Sequence, residues 1–183
     1  MTARVFVTGA ALLMTALANA AAPGAPVISV HEADGEYHVA ARFTVQESAG
    51  VARDVLTDYA NIPRFMPDVQ TSIVVERQDQ RVRVEQEAVS KYMLFSKRVH
   101  LMLDIEEGAD VIRFRDRSNR SFARYEGSWT IAPRTGHTEL AYALAARPAF
   151  SVPGFVLRKL LNRDAGLMID RLRAEIGARA LAQ

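Results

Sequence analysis

From Glu36 to Ala146 the chain is written in twos. Tyr37, Val39, Ala41, Phe43 and Val45 alternate with His38, Ala40, Arg42, Thr44 and Gln46. The same alternation sets Val82, Val84, Gln86 and Ala88 against Arg83, Glu85 and Glu87. It sets Val99, Leu101, Leu103 and Ile105 against His100, Met102 and Asp104. Shorter runs repeat it: Ile112 and Phe114, then Tyr125, Gly127, Trp129 and Ile131, then Leu140, Tyr142 and Leu144. A period of two with one apolar and one polar face predicts antiparallel strands covered on one side only. Asp34-Gly35, Asp79-Gln80, Gly108, Ser118-Asn119 and Thr135-Gly136 fall between the runs, where short turns belong. Sequential hairpins of this kind predict a meander without parallel crossovers.

Two segments change period. Ser48 is placed to cap a helix over about 49–59, with Val51, Val55, Leu56 and Tyr59 on its buried side. A second short helical turn is expected over 61–67, interrupted by Pro63 and Pro67. A long C-terminal helix is expected from near Pro153 to about Ala180, its apolar stripe read as Leu157, Leu161, Ala165, Met168, Leu172 and Ile176. The sheet has one face to cover and the helix one face to bury, so each is predicted to cover the other in an α+β domain.

The order of these elements, together with Asp58-Tyr59-Ala60-Asn61-Ile62-Pro63-Arg64-Phe65-Met66-Pro67-Asp68-Val69, resembles the START-like (SRPBCC) superfamily. That stretch is similar to the D-Y-x-x-x-P-x-F-x-P-x-V segment of its polyketide cyclase/dehydrase and coenzyme-Q-binding branch. Glu126-Gly127-Ser128-Trp129 and Thr138-Glu139-Leu140-Ala141-Tyr142 match that branch's late strands. The resemblance implies a helix-grip fold over residues 36–180, with a curved antiparallel sheet wrapped around the long C-terminal helix. It also implies a pocket between sheet and helix for a hydrophobic ligand, without naming that ligand.

Residues 1–20 read as a leader: Arg4, an apolar run from Val5 to Leu17, then Ala18-Asn19-Ala20 at the spacing a signal peptidase reads. Cleavage is expected after about Ala20, and residues 21–35 then form a linker with a possible short strand. The protein is accordingly expected in the periplasm or secreted. The chain has no cysteine, which removes disulfides, thiolate metal sites and thiol nucleophiles. Without the leader, 22 basic residues face 21 acidic ones. That near-neutral balance argues against a nucleic-acid partner.

Candidate chemistry lies on the inward face. Phe114, Trp129, Tyr142 and Tyr125 supply aromatic surface, and Leu161 and Met168 face them from the helix. The small residues Ala41, Ala88, Gly127 and Ala146 either leave room for a ligand or let the helix approach closely. Gln86 and Asp116 interrupt apolar rows. Each either orients a ligand oxygen or serves the structure, Gln86 by satisfying backbone groups and Asp116 by ending a strand in water. Acid–base chemistry, if there is any, falls first to Asp116, although no second titratable group is placed beside it.

A cavity lip is expected from Tyr92, Leu94 and Phe95, flanked by Lys91 and Lys97 and opposed by Phe150 and Phe155, with Phe65 and Met66 nearby. Apolar residues at a hairpin end either pack on the preceding helical turn or touch a membrane surface transiently. Arg113, Arg115, Arg117, Arg120 and Arg124 form a basic stripe whose simplest reading is a solvated, ion-paired face. His31 and His38 flank Asp34-Gly35 symmetrically, but no third ligand accompanies them and no metal or other cofactor is expected. The sequence contains no nucleotide-binding glycine loop and no Ser-His-Asp order. The expected function is binding or carriage of a lipid, quinone/isoprenoid or aromatic molecule; a cyclase/aromatase-like enzyme is the alternative. Oligomeric state is left open.

Overall fold

The computed structural model describes residues 24–92 and 95–182, and of residues 90–92 and 95 only the backbone. Eight antiparallel strands form one sheet: β1 (Val27–Ala33), β2 (Glu36–Val45), β3 (Val69–Gln78), β4 (Arg81–Tyr92), β5 (Phe95–Glu107), β6 (Val111–Asp116), β7 (Phe122–Arg134) and β8 (His137–Pro148). Between β2 and β3 lie α1 (Ala49–Leu56), a 3-10 turn (Tyr59–Asn61) and α2 (Ile62–Phe65); α3 (Gly154–Leu181) ends the chain.

The strands run in the order β1-β2-β8-β7-β6-β5-β4-β3. The expected meander therefore holds from β3 to β8, but β2 pairs with β8, so the N-terminal hairpin joins the sheet beside its last strand. Alternation decides which face is buried: Val39, Ala41, Phe43, Val82, Val84, Leu101, Leu103, Ile105, Leu140 and Leu144 all lie in one core. α3 lies across that face. Its buried stripe is Leu157, Leu160, Ala165, Ile169, Leu172 and Ile176. This corrects the expected stripe at two positions, for Leu161 and Met168 are only partly buried and flank it.

The first helix is also shorter than the expected 49–59. Ser48 caps it, its Oγ accepting from Val51 N at 3.3 Å. It stops at Leu56, where the Thr57 backbone leaves helical geometry (φ −103°, ψ 1°) while its hydroxyl donates to the Arg53 carbonyl at 2.9 Å. That break swings Tyr59 into the core, where it is 5% exposed. Arg53 holds this end of the molecule by donating from Nη1 to the carbonyls of Gly108 and Ala109, at 2.7 and 2.8 Å.

Candidate functional site

A cavity of about 310 Å³ opens between α3 and the inward face of the sheet. Three layers build it. The sheet contributes Phe114 from β6, Tyr125 and Trp129 from β7, Tyr142 from β8, and Gln86 and Ala88 from β4. α3 contributes Met168 and Leu172, and the corner between α1 and β3 contributes Tyr59, Phe65 and Met66. A larger hollow, about 1060 Å³, lies on the other face of the sheet. Its walls set ion pairs such as Arg83–Asp104 at 2.9 Å and Arg115–Glu126 at 2.8 Å among small residues such as Ala40, Ala143 and Ala145.

The aromatic wall follows from strand register. Phe114 and Gly127 are cross-strand partners, as are Trp129 and Tyr142. The rings of Phe114 and Tyr142 are nearly parallel, 17° apart with centroids at 6.2 Å. Trp129 and Tyr142 lie closer, at 4.6 Å, and Tyr125 stands 6.0 Å from Phe114. The result is a continuous surface of ring faces and edges.

Polar groups on this surface are few. Gln86 spends its Nε2 on the buried Ser72 Oγ, 3.1 Å away. Tyr125 and Tyr142 bring two hydroxyls to this wall. Burial, above all, holds both above the ordinary phenol range; the nearby Tyr125 pushes Tyr142 further, while Tyr142 partly offsets the rise at Tyr125. Tyr59 is raised as well, chiefly by burial and then by the Glu107 carboxylate, although no group among the described residues stands in hydrogen-bond geometry with its hydroxyl. All three therefore remain neutral donors through the physiological range. The cavity rim is charged: Arg171 on α3 meets Asp68 at 2.8 Å, tying the helix to the corner before β3.

Of the residues singled out from sequence, Gln86, Phe114, Tyr125, Trp129, Tyr142 and Met168 converge on the cavity, and Phe65 and Met66 join its wall. Two do not. Leu161 packs between the main core and the small cluster of Tyr37, Leu157 and Leu160. Asp116 is 6% exposed but does not line the cavity. Its Oδ1 accepts from Met102 N at 2.8 Å and Ser118 N at 2.9 Å, and its Oδ2 from Ser118 Oγ at 3.0 Å. Those bonds make it the clamp of the β6–β7 turn, so the idea of Asp116 as an inward acid is corrected.

Phe150 stacks edge-on to Phe122 at 6.2 Å, under the Lys97 ammonium at 4.6 Å, while Phe155 is 68% exposed. Leu94 and the side chains of Tyr92 and Phe95 lie outside the described residues, as does the leader. The basic stripe is largely ion-paired: Arg115 and Arg124 with Glu126, Arg117 with Asp104, and Arg124 also with the buried Glu36. His31 and His38 do pair across the first hairpin. His38 Nε2 lies 3.3 Å from Glu36, and among the described residues no three metal-binding side chains gather anywhere.

Sequence reasoning missed Tyr59, Val69 and Arg171 as cavity residues. The helix break at Thr57 turns Tyr59 inward, and Arg171 comes to the rim only through the roll of α3. Periodicity marks Tyr59 as buried but not as a cavity residue, and it gives no signal for Arg171.

An antiparallel sheet gripping one long helix over an apolar cavity defines a helix-grip protein. The model of the polyketide cyclase/dehydrase and lipid transport family matches residues 48–173, and the chain belongs to that family within the START-like superfamily. A comparison with curated proteins found no match. Among solved structures, the Zhui aromatase/cyclase from Streptomyces sp. R1128 aligns with a TM-score of 0.68 at 15% identity, covering 79% of this chain and 96% of that one. A protein from Thermus thermophilus aligns with a TM-score of 0.67 at 22% identity, covering 78% and 98%. A STAR-related lipid transfer protein from Xanthomonas axonopodis aligns with a TM-score of 0.62 at 16% identity, covering 84% and 99%. At these identities the likeness is one of fold.

Proposed function

We propose that the protein is an exported carrier or binding protein for a hydrophobic small molecule held between α3 and the sheet. The observation that carries this reading is the cavity itself, whose wall is six aromatic rings and aliphatic side chains with only a few polar groups. Burial of apolar ligand surface there supplies affinity at about 25 cal/mol per Å², and the few polar groups supply orientation. Among the candidate ligands a compact isoprenoid, quinone or aromatic fits best. A volume near the low end of the ~300–1,000 Å³ usual for ligand pockets is small for a two-chained lipid. Export rests on the leader pattern of Arg4, Val5–Leu17 and Ala18–Ala20.

The lip has a role in this reading. Phe155, Arg158 and Lys159 open α3 as exposed side chains, while Arg98 on β5 and Arg120 in the β6–β7 connection are exposed as well. None of these four cations makes an ion pair among the described residues. An exposed ring amid unpaired cations complements an anionic lipid surface, across which a carrier would exchange its cargo.

The second reading, a cyclase/aromatase-like enzyme, draws support from the likeness to Zhui and from the neutral hydroxyls of Tyr125 and Tyr142, which can donate a proton. Against it, the two carboxylates that line the cavity are both ion-paired, Asp68 with Arg171 and Asp164 with Arg163. Ala88→Trp tests the preferred reading, since the indole fills the cavity from β4. Binding of the apolar dye 1-anilinonaphthalene-8-sulfonate should fall at least tenfold while the far-UV circular dichroism spectrum stays unchanged. Undiminished binding would place the apolar site elsewhere.

A further inference from the structure

The sheet has two open ends, and they differ. Its strand order leaves one edge of β1 and one edge of β3 without a neighbouring strand among the described residues. β1 exposes a single large apolar residue, Val27, at its start. β3 exposes two in mid-strand, Ile73 at 55% and Val75 at 53%. An unpaired edge presents a row of backbone donors and acceptors to any strand that can meet it, and apolar side chains beside it gain from being covered. Burial alternates along this edge from Thr71 to Val75: Thr71, Ile73 and Val75 are exposed, Ser72 is buried and Val74 is half-buried. The irregularities in the register with β4 fall between Val69 and Thr71 and between Val74 and Glu76, at the ends of that run. Within it there is no lysine, proline or other charged residue to guard the edge. The nearest charges are spent inside the sheet itself, Glu76 on Arg83 at 2.9 Å and Arg77 on Glu107 at 3.3 Å.

The run complements itself. When two copies pair antiparallel about a twofold axis normal to the sheet, exposed positions must oppose exposed ones. An axis at Ile73 meets that condition over the whole run: Ile73 opposes its own copy, Thr71 opposes Val75, and Ser72 opposes Val74. Moving the axis one residue either way brings the ladder to a bulge sooner, and an axis at Glu76 or Arg77 sets like charges face to face. With the axis at Ile73, Glu76 falls toward Gln70 and Arg77 toward Val69, so no like charges meet. Without its leader the chain has 22 basic against 21 acidic residues, and two copies repel each other little.

We propose that the free edge of β3 is a self-association surface, pairing antiparallel with β3 of a second copy about an axis at Ile73. The two sheets then continue into one another, with both cavities on the same face. The bulges stop the ladder at both ends and keep it short. That places the contact among small, transient interfaces, with a dissociation constant of roughly 1–100 μM. The inference is independent of what the cavity holds.

The test takes the mature protein through sedimentation equilibrium from low-micromolar to near-millimolar concentration. The wild type should pass from monomer to dimer and stop there. I73K, which brings two ammonium groups together at the axis, should stay monomeric while keeping the wild-type circular dichroism spectrum. Because the chain has no cysteine, single cysteines report the register directly. I73C should form a disulfide-linked dimer on mild oxidation, since the Cα atoms of directly opposed residues stand about 4.5–5.5 Å apart. V75C, at a position of similar exposure, should not. It faces Thr71 of the second copy, which leaves its own counterpart roughly 13 Å away along the strand. A wild type that is monomeric throughout, or V75C linking as readily as I73C, would overturn the pairing. So would masses that climb past the dimer, the mark of β3 meeting β1 of the next copy in an open chain.

Discussion

Gly127 shows how closely the inner wall is fitted. On β7 it sits opposite Phe114, and a Cβ built there would lie 2.2 Å from the Ala143 carbonyl oxygen and 2.6 Å from Phe114 Cζ. The missing side chain is thus filled by a neighbouring ring, and the sheet curls tightly over it. Gly127→Ala should push Phe114 off its seat and cost roughly 3 kcal/mol or more, read as a fall in the denaturant midpoint at unchanged slope. Loss of less than about 1 kcal/mol would mean that the wall has slack. The sequence marked Gly127 and Ala88 alike as small inward residues, yet only Ala88 leaves open space. A small residue declares that something large is near; whether that is a ligand or a side chain depends on rotamers that alternation does not encode. Asp116 teaches the same lesson for polar residues. Its inward parity was legible, but the amides that absorb its carboxylate, Met102 on the neighbouring strand and Ser118 in the following turn, are not written in the alternation.

The elements divide by how much contrast their environments impose. Central strands, packed on one face and wet on the other, announced themselves as alternation. The edge strands did not. β1 varies only between exposed and half-buried, and β3 buries a single residue, Ser72, along its length. With both faces partly wet, neither needs a strict pattern. α3 was legible in extent but not in roll: a stripe shifted by one residue at two places, Leu160 for Leu161 and Ile169 for Met168, turns Met168 and Arg171 toward the cavity. The start of α3 also carries the proposed membrane contact. Phe155→Ser should reduce sedimentation with vesicles containing a third phosphatidylserine at least threefold. Binding to neutral vesicles should be weak for wild type and variant alike. Equal sedimentation of the two proteins with anionic vesicles would remove Phe155 from that role.

For the molecule as a whole, the fold came through because sheet and helix have complementary needs: each has one apolar face, and the two cover each other. What alternation could not reveal is that the cover is incomplete. The helix is held off the sheet by the corner of Tyr59, Phe65 and Met66 and pinned at its edge by the Arg171–Asp68 pair, and the gap between them is the cavity. The proposed ligand and membrane contact both build on that gap being occupied in the living cell. Native mass spectrometry of the protein purified from its source organism, followed by solvent extraction, asks this directly. The account predicts a mature chain beginning near Ala21 that carries a stoichiometric apolar adduct, released as a compact isoprenoid, quinone or aromatic compound. A clean mass for the unliganded chain, with nothing recovered by extraction, would contradict it.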